Sequence, residues 1–539
     1  MSRDQTSALV TIQPLGLKVL TSPLTVLEVV RRTGAHLSSV CGGNGTCGKC
    51  RVQLSPAPKA SPTDVKHLSP VEIDAGLRLA CEHDVVDGLV VSIVDVSERV
   101  KQAKALSRSI SLRRDRYEDG DYGLAVDIGT TTVAVYLLDL YTGVQMEEEA
   151  LLNPQGAYGA DVITRIDYAT KNEKGALTLK QVLLDALEAT AAQLCSRVGI
   201  STRDIRFLAA VGNTTMEHLF AGFDVRPLGL APYTPTTYDS IEVTAARLGL
   251  KSMPNATVYA SPVVAGFVGG DTVGFILSES LHTLTGTALA IDIGTNGEIV
   301  LVNNRKLWCC SAAAGPAFEG ATISQGMRAD DGAVEYVTIG GVDSPPELSI
   351  IGTQPATGLC GSGILDLVSE MRRHGIIESN GRYASSKRLL EGKKRVSGYV
   401  VADVSETRDH NPLLFTQRDV RQVQLAKAAI EAGTITLLRE AGVGVEDLEA
   451  VYLAGAFGTY LRPESAIRIG LLPPVDVSDV VCVGNAAGAG AKRLLLSSRA
   501  RKTAERVARS SKYLELASNP MFKDLFVSAT NFDSSQLWP

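Results

Sequence analysis

LAVDIGTTTVAVYLLDL, residues 124–140, returns in altered form as LAIDIGTNGEIVLVNN, residues 289–304. In each copy an apolar run rises to an Asp, passes through Ile-Gly-Thr and resumes as a second β-rich run. The pattern predicts a β-hairpin whose tight turn offers backbone N–H groups and hydroxyls to a phosphate, with a carboxylate beside it for a magnesium ion. One Asp-Ile-Gly-Thr alone is weak, because small-residue turns after strands are common. Two copies, at Asp127 and Asp292 in the same hydrophobic frame, read as duplicated lobes clamping one nucleotide. Gly129, Thr130 and Thr131 would then face the phosphates from one side, and Gly294, Thr295 and Asn296 from the other.

The whole chain has 539 residues, too many for one core. With 45% hydrophobic residues and 50 glycines it belongs among globular, turn-rich α/β proteins. A net charge of −6 gives no reason to expect nucleic-acid binding. The sequence holds no 18-residue apolar span and starts on a polar stretch, MSRDQTSALV, so no membrane and a cytoplasmic location are expected. Nine cysteines in a reducing compartment point to metal or redox chemistry before disulfides.

Four of those cysteines lie upstream of the first hairpin. Strands ALVTI and LKVL around a turn at Pro14–Gly16, then a helix over 25–33, lead into HLSSVCGGNGTCGKCRVQL. Cys41, Cys47 and Cys50 form a C-x5-C-x2-C loop, and Cys81 follows in GLRLACEHDV. Three thiolates on a glycine-rich loop and one distant thiolate make a four-sulfur cage. Gly42, Gly43, Gly45 and Gly48 let N–H groups turn inward toward cluster sulfides. Structural zinc sites usually pair two short Cys clips, and this chain has one. The spacing, one residue longer than the plant type, resembles adrenodoxin-like [2Fe–2S] ferredoxins, and the ββα…β order closed by LVVSIV (89–94) resembles their β-grasp fold.

Residues 1–95 are therefore read as a [2Fe–2S] ferredoxin-like electron-transfer domain. Residues 96–119 are read as a basic, solvated linker on which that domain can swing, and 120–539 as the clamp, its second lobe beginning near 288. Within the clamp, Gly212-Asn213-Thr214-Thr215 suits either a phosphate at a helix N-terminus or a plain N-cap. Cys195 and His218 are read as ordinary helix residues. A helix over 415–438, capped by Thr416, carries Lys427, either solvated or in contact with the nucleotide base or ribose. The tail 512–530 is expected to pack on a lobe.

The clamp resembles the superfamily of sugar kinases, heat-shock chaperone ATPases and actin. SPVVAGFVGGDT (261–272) lies where that superfamily has its first inter-lobe connecting helix. VYLAGAFGTYL (451–461) looks like the adenosine motif, which assigns Gly455 and Ala456 to the nucleotide. VGNAAGAGAKRLL (483–495) looks like the second connecting helix, placed near 484–497. The fold implied is a two-lobed actin-like, RNase H-like duplicated ATPase that takes ATP and Mg2+, with Asp127 and Asp292 organising the metal and Asp271 positioning the attacking water.

A ferredoxin module joined to this clamp resembles one family closely, the reductive activators of corrinoid proteins. The GNTTMEHL, AGPAFEGA, GMRA, GLCGSG, TQRDVRQVQLAKAAI and LAGAFG runs carry the likeness. It implies one-electron transfer from the cluster to the cobalt(II) corrinoid of a partner methyltransferase protein, aided by ATP, with an upstream low-potential donor. The chain has no D-x-H-x-x-G corrinoid signature, so the cobalt belongs to the partner. The small-residue run CSAAAGPAFEG, Cys310–Gly320, is expected to meet the corrin face, with Ser311 nearest cobalt. Only a short segment separates cluster domain and first hairpin, so a separate middle domain, one that could aid dimerisation, is expected to be missing or reduced; whether the chain dimerises stays open. A metabolite kinase would not need the cluster cysteines. Activators of radical dehydratases lack a separate ferredoxin domain, and a plain electron carrier would leave the clamp degenerate.

Overall fold

The computed structural model describes residues 8–13, 17–21, 24–32, 45, 50–68, 70–92, 114–159, 161–320, 322–391, 396–408, 410–455 and 461–539. Alternation of buried and exposed residues shapes the first sheet. In β1 (Ala8–Gln13), Val10 and Ile12 point inward while Leu9 stays exposed. With β2 (Leu17–Thr21), β3 (Arg51–Ser55), β4 (Leu77–Leu79) and β5 (Val90–Ser92) it forms a five-stranded sheet of order β2-β1-β5-β3-β4. The Val26–Arg32 helix buries Val26, Leu27, Val29 and Val30 in the same core as Val52, Leu79 and Val91.

The two hairpins fold as the repeated sequence predicts. β6 (Tyr122–Ile128) pairs antiparallel with β7 (Thr132–Asp139), which pairs with β8 (Gln145–Leu152); β9 (Ile205–Gly212) lies parallel to β6. β10 (Ile241–Thr244) and β11 (Thr257–Ala260) complete the order β10-β11-β9-β6-β7-β8. The second lobe repeats this with β12 (Thr287–Ile293), β13 (Gly297–Asn303) and β14 (Lys306–Ala312) as the antiparallel meander. Small sheets of β15 (Ala333–Thr338), β16 (Glu347–Ile350) and β17 (Gly358–Leu359), and of β18 (Leu389–Glu391), β19 (Val396–Ala402) and β20 (Leu413–Phe415), are inserted before β21 (Ala450–Ala454) and β22 (Val480–Gly484). β21 runs parallel to β12, and β23 (Lys512–Tyr513) adds to β14, giving β22-β21-β12-β13-β14-β23.

Two helices cross between the lobes, Gly270–Ser278 and Ala486–Leu496. The first starts later than its sequence suggested, because 261–269 runs as irregular chain before it. Small residues decide the crossing. A Cβ on Gly490 would lie 2.3 Å from the Gly274 Cα, so the backbones touch where any side chain would hold them apart. One buried cluster runs from Tyr136 and Val211 of the first lobe through Phe275 and Leu494 of these helices to Val300 and Tyr452 of the second. Each fully buried Val, Leu or Phe of this seam contributes on the order of 1.5–3 kcal/mol, which holds the two lobes together. The tail behaves as expected: the Pro520–Ala529 helix brings Leu525 against Ala432 and Ile435 of the long Gln417–Ala441 helix.

Candidate functional site

A cavity of about 430 Å3 opens between the lobes, and the two hairpin turns line it. Because the turns follow β6 and β12 at equivalent positions, Asp127 and Asp292, each one residue before its strand's end, both line the cleft. Gly129, Thr130, Thr131, Gly294, Thr295, Asn296, Asp271 and Gly455 also line it. Gly455 has φ +98°, and a Cβ there would lie 2.8 Å from the Asp292 carboxylate, so glycine alone keeps that wall open.

Carboxylates dominate the floor. Burial pushes Asp127 up to about 7, and Asp271 adds to it, against a hydrogen bond from Asn485. Asp292 is also pushed to about 7, by burial and then by Asp271 and Asp127. Asp271, in the first turn of its helix, is raised to about 6 by burial although the Thr272 N–H donates to it at 2.7 Å. Glu298, opposite Asp292 in the hairpin register, and Glu217, 1% exposed behind Asp271, are raised well above their usual range, burial leading and Asp271 next. Like charges out of water raise one another in this way, and a divalent cation with its bound phosphates relieves the repulsion. The donor set, all oxygen, suits Mg2+.

Other contacts set the geometry. Asn485 caps the second crossing helix through its Oδ1 and turns its Nδ2 onto Asp127 at 2.8 Å. Asn213 settles as an N-cap for Met216 and donates to the Thr130 hydroxyl at 2.9 Å. His218 is a satisfied helix residue, its ring held between the Thr214 carbonyl and the Thr236 N–H. Glu319 accepts from Thr131 at 2.9 Å and from Thr295 at 2.6 Å, joining both turns. Arg328 is the one cation among the described lining residues.

Lys427 lies away from the cleft. Lys427 is fully buried, its ammonium donating to Glu431 at 2.6 Å, the Asn531 carbonyl at 2.8 Å and Ser534 at 3.1 Å. It ties the C-terminal segment to its helix and is not among the cleft-lining residues, so both its expected solvation and its expected nucleotide contact are corrected. Burial of an apolar helix face brought it inward, and a buried ammonium needs such partners. Ser311 sits on β14 with its hydroxyl on Glu298 at 3.3 Å, and Cys310 beside it is buried, so the outward residue of that run is Ala313. Cys195 is core. Ala456 lies outside the described residues.

Of the cluster cysteines, Cys41 and Cys47 fall outside the described residues. Cys50 and Cys81 bring their sulfurs to 3.4 Å, just before β3 and just after β4. Two thiols converging on one point from the ends of neighbouring strands fit a shared metal cluster. Beside them Asp64, 0% exposed, receives the N–H groups of Leu79 and Ser61 and the His83 ring.

Sequence reading missed Glu298, Asn485, Glu319, Glu217 and Arg328. Glu298 was legible from the hairpin register opposite Asp292, and Asn485 from its N-cap position before a small-residue helix. The other three lie in the GNTTMEHL, AGPAFEGA and GMRA runs that carry the family likeness, but no local pattern gave them a role.

Comparison with known proteins follows these boundaries. Residues 10–85 match the 2Fe-2S iron-sulfur cluster binding domain, 122–284 the RACo middle region, and 286–539 the C-terminal domain of RACo, the ASKHA domain. The RACo middle region match begins at the first hairpin and covers the first lobe. The corrinoid activation enzyme RamQ of Eubacterium limosum is 37% identical over 422 residues, covering 76% of this chain and 70% of the relative. The [Co(II) methylated amine-specific corrinoid protein] reductase of Methanosarcina barkeri is 25% identical over 442 residues, covering 76% and 77%. The solved reductive activator for corrinoid,iron-sulfur protein superposes with a TM-score of 0.72 at 31% identity, over 97% of this chain and 98% of that one. No helix among the described residues is long and apolar enough to cross a membrane. With a 2Fe–2S domain and a duplicated ATPase clamp aligned in one order along nearly its whole length, the chain belongs to the family of reductive activators of corrinoid proteins.

Proposed function

We propose that this chain takes one electron from a low-potential donor and delivers it to the cobalt(II) corrinoid of a partner methyltransferase protein, restoring cobalt(I), with ATP hydrolysis in the inter-lobe cleft. What carries the reading is the cleft: carboxylates from both lobes converge on one cavity, in the same chain as a cluster-binding module. When bound, the [2Fe–2S] cluster supplies a one-electron carrier and Mg-ATP a phosphoanhydride to hydrolyse.

The residues divide the work. Cys41, Cys47, Cys50 and Cys81 hold the cluster. Asp127 and Asp292 hold Mg2+ from opposite lobes, with Asn485 fixing the Asp127 carboxylate. Thr131 and Thr295 donate to the phosphates, Arg328 offsets their charge, and Asp271 orients the attacking water. The need for ATP is energetic: each ~60 mV of uphill one-electron transfer costs about 1.4 kcal/mol, and plant-type clusters sit near −400 mV. Lobe closure can meet that difference only through differential affinity for two arrangements of the complex.

The corrin face would meet the small-residue edge at Ala313, Gly315 and Pro316, where no large side chain holds a flat ring off. Ser311 stands just behind this edge and reaches cobalt only by leaving Glu298. A hydroxyl is a weak cobalt(II) ligand, so exchanging a stronger axial ligand for it makes the metal easier to reduce.

The test is ATP hydrolysis by the cluster-loaded chain with and without a cobalt(II) corrinoid protein, with cobalt(I) absorption followed in parallel. Stimulated hydrolysis with cobalt(I) formation is expected. Cobalt reduction that proceeds equally well without ATP would leave only an electron carrier. Ser311→Ala should keep cluster and basal hydrolysis while slowing cobalt reduction; wild-type reduction in that variant would move the docking face elsewhere.

A further inference from the structure

Glu319 closes a three-cornered contact that no local pattern announces. Its Oε2 accepts from the Thr131 hydroxyl at 2.9 Å and its Oε1 from the Thr295 hydroxyl at 2.6 Å, while the two hydroxyl oxygens lie 3.3 Å apart. Thr131 belongs to the first lobe and Thr295 to the second, so one carboxylate spans the cleft between both phosphate turns. Its own backbone is firmly placed. It ends the Pro316–Glu319 turn, whose Ala317 and Phe318 are each 2% exposed in the second-lobe core.

A Thr hydroxyl has one proton to donate. Whatever accepts it from Thr131 and Thr295 excludes a second acceptor, and two anions at the same pair of donors repel. We propose that Glu319 is a positioning residue of the nucleotide cleft: its carboxylate and the terminal phosphate of ATP compete for these two hydroxyls, so ATP binding displaces Glu319 and shifts the Cys310–Gly320 run that carries it. This rests on the ATP-clamp reading above and adds the means by which the docking edge senses the nucleotide. Because Glu319 is anchored to the second lobe, its bond to Thr131 also sets lobe separation. Coupling between two sites is reciprocal, so a corrinoid protein that favours the displaced edge must tighten ATP binding by the same factor.

The experiment uses the full-length, cluster-loaded chain and its E319Q and E319D variants, each checked for an unchanged cluster spectrum and melting temperature. Mg-ATP and Mg-ADP affinities are measured by calorimetry, and backbone hydrogen exchange is followed over 310–320. Glutamine keeps the shape without the charge, and aspartate keeps the charge one methylene short of both hydroxyls. E319Q should bind ATP about tenfold more tightly, the worth of one charge-assisted hydrogen bond, with ADP affinity at the wild-type value. E319D should fall between E319Q and wild type. Without nucleotide, E319Q should show the exchange over 310–320 that wild type reaches only with ATP. ATP affinity in E319Q that is unchanged or weaker, with wild type binding ATP normally, overturns the role of Glu319 alone. A wild-type chain that binds no ATP overturns the clamp reading and this inference with it.

Discussion

Asp64 and the cleft carboxylates are all withdrawn from water, yet their surroundings act in opposite directions. Burial alone would raise Asp64, but the Leu79 and Ser61 N–H groups and the His83 ring more than offset it and hold its carboxyl below the usual range. Asp127 has one described side-chain donor, Asn485, and Asp292 has none among the described hydrogen bonds; both face other acids and rise to about 7. A buried carboxylate supplied with donors is a structural joint. One deprived of them, among its own kind, is held toward its neutral form unless an opposite charge comes close.

Removing a clamp acid should break the contrast most severely. In Asp292→Asn and Asp127→Asn, ATP turnover should fall about 10²- to 10³-fold, the usual effect of deleting one electrostatic group at a phosphoryl-transfer site. The cluster spectrum should not change. Melting temperature should hold or rise, since each substitution also removes repulsion. Turnover within a few-fold of wild type in both variants would contradict the clamp.

Asp64→Asn should do the reverse, costing the cluster module about 1–3 kcal/mol by leaving backbone N–H groups short of a charged acceptor, with cleft ATP binding untouched. The pH sign follows from the depressed value. Between the folded pKa and the ordinary 3.8 the unfolded chain binds more protons, so stability rises with pH there. The wild-type advantage should be complete above the ordinary carboxylate range and vanish as pH falls through the folded value. Urea unfolding of wild type and variant at neutral and acid pH checks it, and a gap that persists in acid would assign the stability to something other than charge.

Asn485→Ala gives the smallest and sharpest effect. Asp127 would then resemble Asp292 in having no described donor, and Mg-ATP affinity should drop about fivefold, the loss of roughly 1 kcal/mol from one hydrogen bond. Calorimetric titration with Mg-ATP reads it directly. Unchanged affinity would mean that Asn485 serves only as a helix cap.

Much of this molecule is written in short runs. The paired Asp-Ile-Gly-Thr segments and the small-residue stretch at 483–495 specify turns and a close helix crossing, because each depends on residues near one another in the chain. Tertiary structure alone decided which side chains meet. Glu319 finds Thr131 across the cleft, and Lys427, plausible as a nucleotide contact, turns into the protein toward Glu431 and Ser534. The carboxyl groups differ for the same reason: Asp64 and Asp292 carry the same side chain, and only burial, donors and neighbouring charges, set by segments far apart in sequence, hold one below the usual range and push the other up to about 7.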